Sequence, residues 1–432
     1  MHTIPQVAEK IQRLMTEVAD QLGRESGVIQ RQRQLSGSKF AQTLVFGWMG
    51  NPAASLKEMS QLAACNHVQI SRQGIDQRFT ERAACFMEAL LRATIDEVVH
   101  GRRVANKALG VFSRVYLLDS TCIGLPGLLH AIWPGCGSSA GDTACLKVSV
   151  LWEMLHGGLE ALELLAGKTH DQRAKAASQA LPDNSLRVAD LGYYKLSMLA
   201  RMSRENQYWI TKYKNGTIVL IQDQRIDVLT YLETRGETRV NCSVQLGARQ
   251  RVDAQLVAAR VSDATLERRQ ADLAEWERKK QCRASAETWA LLAWDIYLTN
   301  IPPTLLSVDA VLALAHYRWQ IELLFKLWKS EGQVAQWRTQ NPWRVLCEIY
   351  AKLIALVFHH WFMLLGTWHR LARSPTQALR TTRHFVWQFV RTLSSRRRLC
   401  ATIADLVRCL RSCHMEKHKA SPRTFQRLEA LT

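Results

Sequence analysis

The sequence has few of the features that are typical of secreted, membrane-anchored or repeat proteins. Its eleven cysteines are scattered without paired spacing, which fits a reducing compartment better than a disulfide framework. The opening residues, MHTIPQVAEKIQRLM, are polar and charged where a secretory signal needs an apolar segment. Internal repeats and low-complexity blocks are absent, which argues against a solenoid. We therefore expect a globular cytoplasmic protein.

An uninterrupted hydrophobic run is also lacking. The most apolar stretch is VLCEIYAKLIALVFHHWFMLLGTW, and Glu348, Lys352, His359 and His360 recur inside it at helical spacing. Charged side chains are costly in the hydrocarbon core of a bilayer. We predict a buried core helix here, and no membrane association.

Acidic residues are in deficit. The 432 residues include 57 Lys and Arg against 38 Asp and Glu, which gives a formal net charge of +19. Such an excess destabilises the compact state unless a large anionic partner neutralises it. Nucleic acid is the leading candidate for that partner. The length is sufficient for two or three domains with sizeable cores.

Residues 1–105 have the capping and charge signals of helices throughout. Within them, SLKEMSQLAACNHVQISRQGIDQRF resembles a helix-turn-helix. In that interpretation Arg72, Gln73 and Gln77 could reach a DNA groove. A helix pair in a plain bundle has the same pattern, so both interpretations stay open.

Strand-like segments begin near residue 112 and predict a mixed α/β domain. The first are RVYLLDST, CLKVSVLWEM and GGLEALELLAG. We expect Asp119 and Asp190 to lie at the ends of two strands. Further along, TRVNCSVQL, VDAQLVAARV and TWALLAWDIYLTN predict strands around one charged helix.

The segment HYRWQIELLFKLWKSEG combines an apolar helix face with a charged one. As a helix it places Arg318, Glu322, Lys326 and Lys329 within roughly an 80° arc. A solvated face with ion pairs of a few tenths of a kcal/mol each is one interpretation. The other is that Glu322 binds a cation while the basic side chains bind phosphates.

Asp119, Asp190 and Glu322 form a constellation that could serve phosphoryl transfer. Carboxylates that lie close together repel one another unless divalent cations neutralise them, and a two-metal site needs such a set. Taken singly, each aspartate could instead begin a turn.

Together these motifs resemble the bacterial insertion-sequence transposases of the DDE type, in the group with a Tyr-Arg-Glu-Lys signature on the last catalytic helix. That signature has Arg, three residues, Glu, six residues and Lys, and Arg318, Glu322 and Lys329 stand at these spacings. Asp119 in LLDST and Asp190 in ADLGYYK match the segments of the first and second acids.

The resemblance extends from about residue 30 to about residue 360, and it includes a Thr-Asn pair at the end of the insertion's last strand, here Thr299 and Asn300. It implies an α/β fold with an RNase H-like core, a strand-rich insertion, an all-helical N-terminal domain and a helical C-terminal region. The expected layout is a DNA-binding domain at 1–105, the two core parts at 106–221 and 301–370, the insertion at 222–300, and a basic helical region at 371–432.

The resemblance also implies the chemistry and the partners. Two Mg²⁺ ions, for which Mn²⁺ could substitute, would be held by Asp119, Asp190 and Glu322, and the protein would cleave transposon ends and join the 3′-hydroxyl to target DNA. Arg318, Lys326, Lys329 and Lys212 would contact phosphates. A homodimer would hold two transposon ends of double-stranded DNA. The N-terminal domain would recognise their inverted repeats, and the protein would act in the nucleoid. Trp289 and Trp294 are candidates for stacking on a flipped base, with core packing as the alternative.

One position departs from the family pattern. Ala315 stands where the signature has its tyrosine, and Tyr317 falls on another side of the helix. Either another side chain fills that gap or activity is reduced, and no tyrosine role is carried over from the signature. A catalytically disabled relative is one alternative that follows from Ala315. Two others are a nuclease that shares the carboxylates but joins nothing, and a regulator that uses the helix-turn-helix and basic surface without catalysis.

Overall fold

The computed structural model describes residues 1–30, 34–137, 143–415 and 424–430. The chain forms two compact units. Unit 1 comprises Met1–Ala105, Asp119–Thr169 and Gln320–Ala420, and unit 2 comprises Asn106–Leu118, His170–Trp319 and Ser421–Thr432. Residues 416–423 of the predicted C-terminal region lie outside the described residues.

The described residues form helices and strands in both units. The strands are β1 Val115–Leu125, β2 Ala144–Glu153, β3 Leu159–Ala166, β4 Leu186–Ala189, β5 Tyr208–Lys212, β6 Val219–Ile221, β7 Gln224–Ile226, β8 Arg239–Leu246, β9 Val252–Arg260 and β10 Trp294–Thr299. The helices are α1 Ile4–Arg13, α2 Ala19–Glu25, α3 Gly37–Gly50, α4 Leu56–Cys65, α5 Arg72–Asp76, α6 Glu81–Ile95, α7 Lys107–Gly110, α8 Lys175–Ser178, α9 Leu196–Arg204, α10 Val228–Arg235, α11 Asp263–Lys280, α12 Ala286–Leu291, α13 Val308–Tyr317, α14 Trp319–Ser330, α15 Pro342–Gly366, α16 Pro375–Arg383, α17 Val386–Thr392, α18 Arg396–Leu410 and α19 Thr424–Glu429. A π-helical segment, Leu14–Val18, links α1 to α2.

The strands confirm a mixed α/β fold. In unit 2 the strand order is β1-β4-β5-β10-β9-β8-β6-β7, and in unit 1 it is β3-β2-β1. The boundary between the units falls inside β1, which therefore contributes to both. Strand β4 pairs in parallel with β1 and with β5, whereas β10 pairs antiparallel with β5 and β9. Long antiparallel pairing of β8 with β9 accounts for the strand-rich segment predicted before residue 300.

One predicted strand is partly wrong. The run TWALLAWDIYLTN forms α12 and then β10 rather than a single strand. The cause is local, because the Ser285 side chain accepts a hydrogen bond from the Thr288 amide at 3.1 Å and starts a helix. Such capping satisfies an amide that a helix terminus would otherwise leave without a partner.

Helix α15 is the core of unit 1, as the interrupted apolar run predicts. It packs against α3, α6 and α18. Within the described residues it is the one helix that is long and apolar enough to cross a membrane. Of its most apolar stretch of 18 residues, 94% is buried inside the protein. Its buried Lys352 Nζ lies 2.7 Å from Glu348 Oε1. Burial raises the pKa of Glu348 and lowers that of Lys352, and the attraction between the two charges opposes both shifts.

Replacing Lys352 by Met should destabilise unit 1 strongly. The ammonium also donates to the carbonyls of Gln333 and Gln336, at 3.0 and 2.8 Å, so the variant leaves a buried carboxyl and two carbonyls without their donor. Removal of one partner from a buried pair costs about 3–5 kcal/mol. We expect a loss of this size in the free energy of unfolding, measured by urea titration. The double variant Glu348→Leu/Lys352→Met should recover part of it, and equal losses in both variants would contradict this explanation.

The cysteines agree with the absence of a disulfide framework. All eleven are free thiols. Cys347 and Cys413 are buried and behave as small hydrophobic side chains of unit 1.

Candidate active site

The segment predicted as one helix around Glu322 is two helices in sequence. Ser307 Oγ accepts from the Ala310 amide at 3.3 Å and starts α13. The chain tightens at Arg318, whose amide donates to the Ala315 carbonyl at 3.3 Å, an i to i−3 bond that is tighter than an α-helical one. Helix α14 then begins at Trp319. The charged stripe predicted over 318–329 is therefore interrupted after its first member.

Helix α14 has the two faces that its sequence predicts. The residues of its apolar face are buried, namely Ile321, Leu324, Phe325, Leu327 and Trp328. Lys326 is exposed, and Glu322 and Lys329 are partly exposed. Glu322 lies in the first turn, where the helix dipole favours a negative charge. These three residues belong to unit 1.

Asp190 directly follows the short, buried strand β4. It precedes a 3₁₀ turn, and its carbonyl accepts from the Tyr193 amide at 3.0 Å. Ala189 is the register partner of Leu118 on the parallel strand β1. Leu118 and Ala189 are therefore a register pair, and Asp119 and Asp190 are the residues that come directly after them in the sequence.

Asp119 does not end its strand, contrary to the prediction. Strand β1 continues to Leu125, and only its pairing with β4 stops at Leu118. Asp119 Oδ1 accepts from the Ser120 amide at 2.8 Å. The alternation of buried and exposed residues after Asp119 is that of a strand. The motif LLDST ends at Thr121 and therefore does not include the residues 122–125 that continue this alternation.

A cavity of about 500 Å³ opens beside Asp190 in unit 2. It brings together three of the predicted residues, Asp190, Lys212 and Arg318. Sequence reasoning missed the other ionisable and aromatic residues of the wall, which are Arg268, Arg269, Asp295, Tyr297, His316, Trp319 and Arg427. Basic side chains outnumber acidic ones on this wall, so the cavity is suited to bind an anion. Among the described residues Asp190 has no ion-pair partner.

Asp295 and Arg269 neutralise each other within this wall. Arg269 Nη2 lies 2.6 Å from Asp295 Oδ1, and Nη1 donates to the carbonyls of Leu292 and Trp294 at 3.1 and 3.3 Å. Lys212 is exposed, and it has no ion-pair partner in the part of the chain that the structure describes. Its charge is therefore available to a ligand.

Two titratable groups of the wall, His316 and Tyr297, are neutral near pH 7. Burial, reinforced by Arg427 and Arg318, lowers the pKa of His316, so its imidazole carries no charge. Burial raises the pKa of Tyr297 to about 12, with a further contribution from Asp295. The positive charge of the cavity thus comes from lysine and arginine alone.

Thr299 and Asn300 fix the strand that carries Lys212. Thr299 Oγ1 donates to the Trp209 carbonyl at 2.6 Å, and Asn300 Oδ1 accepts from the Trp209 amide at 2.9 Å. Asn300 Nδ2 also donates to the Gln207 carbonyl at 2.8 Å. The pair therefore clamps the start of β5 to the end of β10.

The tryptophans considered for base stacking do not line the cavity. Trp294 is buried in β10, in agreement with core packing, and Trp289 donates to Glu277 Oε1 at 3.3 Å. Trp319 is the tryptophan on the cavity wall, and it is 48% exposed.

In the N-terminal helices, α4 and α5 agree with the predicted helix, turn and helix. Ser71 Oγ accepts from the Gly74 amide at 3.0 Å and caps α5. Arg72, Gln73 and Gln77 are exposed. Helix α5 has only five residues, which is short for an element that fills a DNA groove.

The metal ions that the DDE pattern implies need carboxylate oxygens. Among the described residues, no group of three or more His, Cys, Asp and Glu side chains could hold a metal ion. Carboxylates repel one another when no cation neutralises them, so a bound ion favours the close approach of the carboxylates that hold it. The donor set of Asp119, Asp190 and Glu322 nevertheless fits Mg²⁺ chemically, because hard divalent cations prefer carboxylate oxygens.

Comparison with known proteins agrees with these features. The family described as Transposase DDE domain matches residues 111–358, which is more than half of the chain and includes all three acids. The transposase for insertion sequence element IS231F of Bacillus thuringiensis subsp. israelensis is 29% identical over 374 residues, which is 81% of this chain and 78% of the relative. The transposase for IS231E of subsp. finitimus is 26% identical over 369 residues, covering 80% and 77%. The transposase for IS1151 of Clostridium perfringens is 24% identical over 363 residues, covering 78% and 76%. The chain therefore belongs to the DDE family of bacterial insertion-sequence transposases, enzymes that cleave DNA and transfer its strands.

Proposed function

We propose that this transposase recognises the terminal inverted repeats of its own insertion sequence, cleaves DNA at those ends and joins the 3′-hydroxyl to target DNA. The observation that carries the proposal is the cavity of unit 2, which Asp190 lines together with Lys212 and Arg318. A carboxylate beside basic side chains is what a phosphoryl-transfer site needs, because it must hold metal ions and phosphates at once.

Asp119, Asp190 and Glu322 are the catalytic acids in this proposal. The register of β1 with β4, the match of the DDE family across all three residues and the spacing of Arg318, Glu322 and Lys329 support the assignment. We assign the chain to the Tyr-Arg-Glu-Lys group and its catalytic part to an RNase H-like core. Members of the family use divalent metal ions, and two Mg²⁺, or Mn²⁺ in their place, would be held by these carboxylates.

The reaction has two balanced steps. In the first, a water oxygen forms a bond to the phosphorus at the transposon end, the bond from phosphorus to the 3′ oxygen breaks, and that oxygen leaves with a proton as the 3′-hydroxyl. In the second, the same hydroxyl loses its proton and its oxygen forms a bond to the phosphorus of a target phosphodiester. The bond from that phosphorus to the target's 3′ oxygen breaks, and this oxygen leaves with a proton as a new 3′-hydroxyl. Bound divalent metals would lower the pKa of the attacking hydroxyl and stabilise the leaving oxygen.

The remaining predicted residues would bind DNA. Arg318 and Lys329 hold phosphates near the cut, with Lys326 and Lys212 as neighbouring contacts. Guanidinium groups bind phosphate through paired hydrogen bonds, whereas ammonium groups act as point charges.

The ends would be recognised by residues 1–105 through Arg72, Gln73 and Gln77, all of which are exposed. Two protomers would hold two ends in the nucleoid of the cytoplasm. The other regions keep their proposed roles, with the core at 106–221 and 301–370, the insertion at 222–300 and the basic C-terminal region at 371–432.

The test is end-specific cleavage. The purified protein is incubated with Mg²⁺ and a labelled duplex that carries the inverted repeat flanking its own gene, next to a duplex with a scrambled repeat. We expect a nick at the repeat boundary that leaves a 3′-hydroxyl, only in the first duplex and only with metal. Binding without cleavage in Mg²⁺ and in Mn²⁺ would contradict the proposal and favour a regulator.

Replacing Lys212 by Ala should reduce the salt dependence of end binding. Each neutralised phosphate contributes about −0.9 to the slope of log K against log salt, and the Lys212 charge is available to one phosphate. We expect the slope to fall by about 0.9, measured by fluorescence anisotropy over a salt series. The control is Lys279→Ala, which removes a charge that is paired with Glu275 on α11 at 2.7 Å and should leave the slope unchanged. Equal slopes in wild type and Lys212→Ala would remove Lys212 from the interface.

A further inference from the structure

Tyr297 lies on the cavity wall of unit 2. In strand β10, Trp294, Ile296 and Leu298 are buried, whereas the alternate residues Asp295 and Tyr297 line the cavity. Successive side chains of a strand point to opposite faces, so Tyr297 belongs to the face that a ligand in the cavity would meet.

The charged neighbours of Tyr297 are one carboxylate, Asp295, and three cations, Lys212, Arg269 and Arg318. Lys212 is its directly opposite partner on the antiparallel strand β5, and directly opposite residues share a face. The charge of Arg318 also acts on the phenol, since together with Arg269 it opposes the rise in the Tyr297 pKa. Arg269 is committed to Asp295. An anion that binds Lys212 and Arg318 would therefore lie beside the Tyr297 hydroxyl.

The hydroxyl is a hydrogen-bond donor in the working pH range. Burial raises its pKa to about 12, so it keeps its proton near neutral pH. Within the described residues the hydroxyl has no hydrogen-bond partner. A half-buried donor that lacks a protein partner gains most from a ligand acceptor.

No other described tyrosine lines this cavity. Ala315 contributes only a methyl group to the wall, and Tyr317 is buried and does not line it. The departure from the family signature at Ala315 of helix α13 thus coincides with a phenol that lines the same cavity from strand β10.

We propose that the Tyr297 hydroxyl donates a hydrogen bond to a non-bridging oxygen of the DNA phosphate that Arg318 and Lys212 bind, and so supplies the phenol that Ala315 lacks. This inference rests on the proposed function, because it requires a transposon-end phosphate in the cavity. Tyr297 is then a phosphate-binding residue of the site.

The first test compares single-turnover cleavage of the end duplex by wild type and Tyr297→Phe. The substitution removes one oxygen and keeps the ring, and loss of one hydrogen-bond donor at a transition state costs about 100-fold or more in rate. We expect about a 100-fold fall, with the Kd for the duplex changed less than about threefold because the cations remain. The matched control is Tyr213→Phe, which alters a half-buried tyrosine of unit 2 that does not line the cavity and should cleave at the wild-type rate.

The second test reads the hydrogen bond without cleavage. The full chain carries 3-fluorotyrosine at position 297, and its ¹⁹F resonance is followed as the end duplex is added in Ca²⁺. We expect a shift that is lost when a methylphosphonate replaces the phosphate at the cleavage position. Wild-type cleavage by Tyr297→Phe, or duplex binding with no shift, would overturn the role of Tyr297 and leave the proposed function standing. Failure of the wild type to bind the duplex would overturn both.

Discussion

Replacing Glu322 by Gln should abolish cleavage of the transposon end while leaving end binding intact. The substitution keeps the size and hydrogen-bonding capacity of the side chain and removes the anionic oxygen that a metal ion requires. Metal coordination supplies several kcal/mol of charge stabilisation in the transition state, and each 1.36 kcal/mol is tenfold in rate. We therefore expect a fall of about 10³-fold or more in single-turnover cleavage, and a Kd for the duplex within about threefold of the wild-type value.

The control for Glu322→Gln is Glu17→Gln. Glu17 is an exposed carboxylate of unit 1, so its substitution removes the same charge from the same compact unit. We expect wild-type cleavage from this variant. Cleavage by Glu322→Gln at more than about a tenth of the wild-type rate would exclude Glu322 from the proposed metal site and favour the interpretation of a solvated helix face.

Replacing Asp190 by Asn should have an effect of the same size, and the cavity offers its own control. Asp190 and Asp295 both line the cavity, but Asp295 is paired with Arg269 at 2.6 Å. If Asp190 is a metal ligand, Asp190→Asn should lose about 10³-fold or more in cleavage rate for the reason given for Glu322. Asp295→Asn should lose at most about tenfold, since Arg269 keeps two backbone carbonyl partners. Equal losses would indicate that Asp190 acts through the charge balance of the wall.

The ratio of cleavage activity in Mg²⁺ and in Mn²⁺ can distinguish a carboxylate that binds metal from one that has only a structural role. A thiolate is a softer ligand than a carboxylate and is poorly matched to Mg²⁺. We expect Asp190→Cys to be inactive in Mg²⁺ and partly active in Mn²⁺. Asp295→Cys should show the same activity ratio between the two metals as the wild type. An Asp190→Cys variant that is equally inactive in both metals, although folded and able to bind DNA, would count against metal binding at this position.

Patterns of local origin could be predicted from the sequence. The buried helix α15, the strands β8 and β9 and the apolar face of α14 follow from hydrophobic periodicity, which each segment carries within itself. The places of Asp190 and Lys212 in the chain could be predicted because they stand at the ends of recognisable strands. The interruption at Arg318 has no sequence signal, since residues 308–330 contain neither proline nor glycine.

Convergence of distant segments could not be predicted in the same way. The cavity brings Tyr297 of β10, Arg268 of α11 and Arg427 of α19 to the wall that carries Asp190, and no local pattern relates these residues. The alternation of Asp295 and Tyr297 in β10 was a usable signal, because polar residues on one face of an otherwise buried strand indicate a face turned towards a cavity. That signal was hidden by the continuous apolar run before it, which folds as α12.

Strand transfer is the measurement that tests the transposase function most directly. End duplexes with a preformed 3′-hydroxyl are incubated with the protein, Mg²⁺ and a supercoiled plasmid, and the products are sequenced across the new junctions. We expect the 3′ end of the repeat to be joined covalently to plasmid DNA, and no joining when that end carries a 3′-deoxy nucleotide. Cleavage of intact ends by the same preparation without any joined product would contradict the central claim and identify the protein as a nuclease.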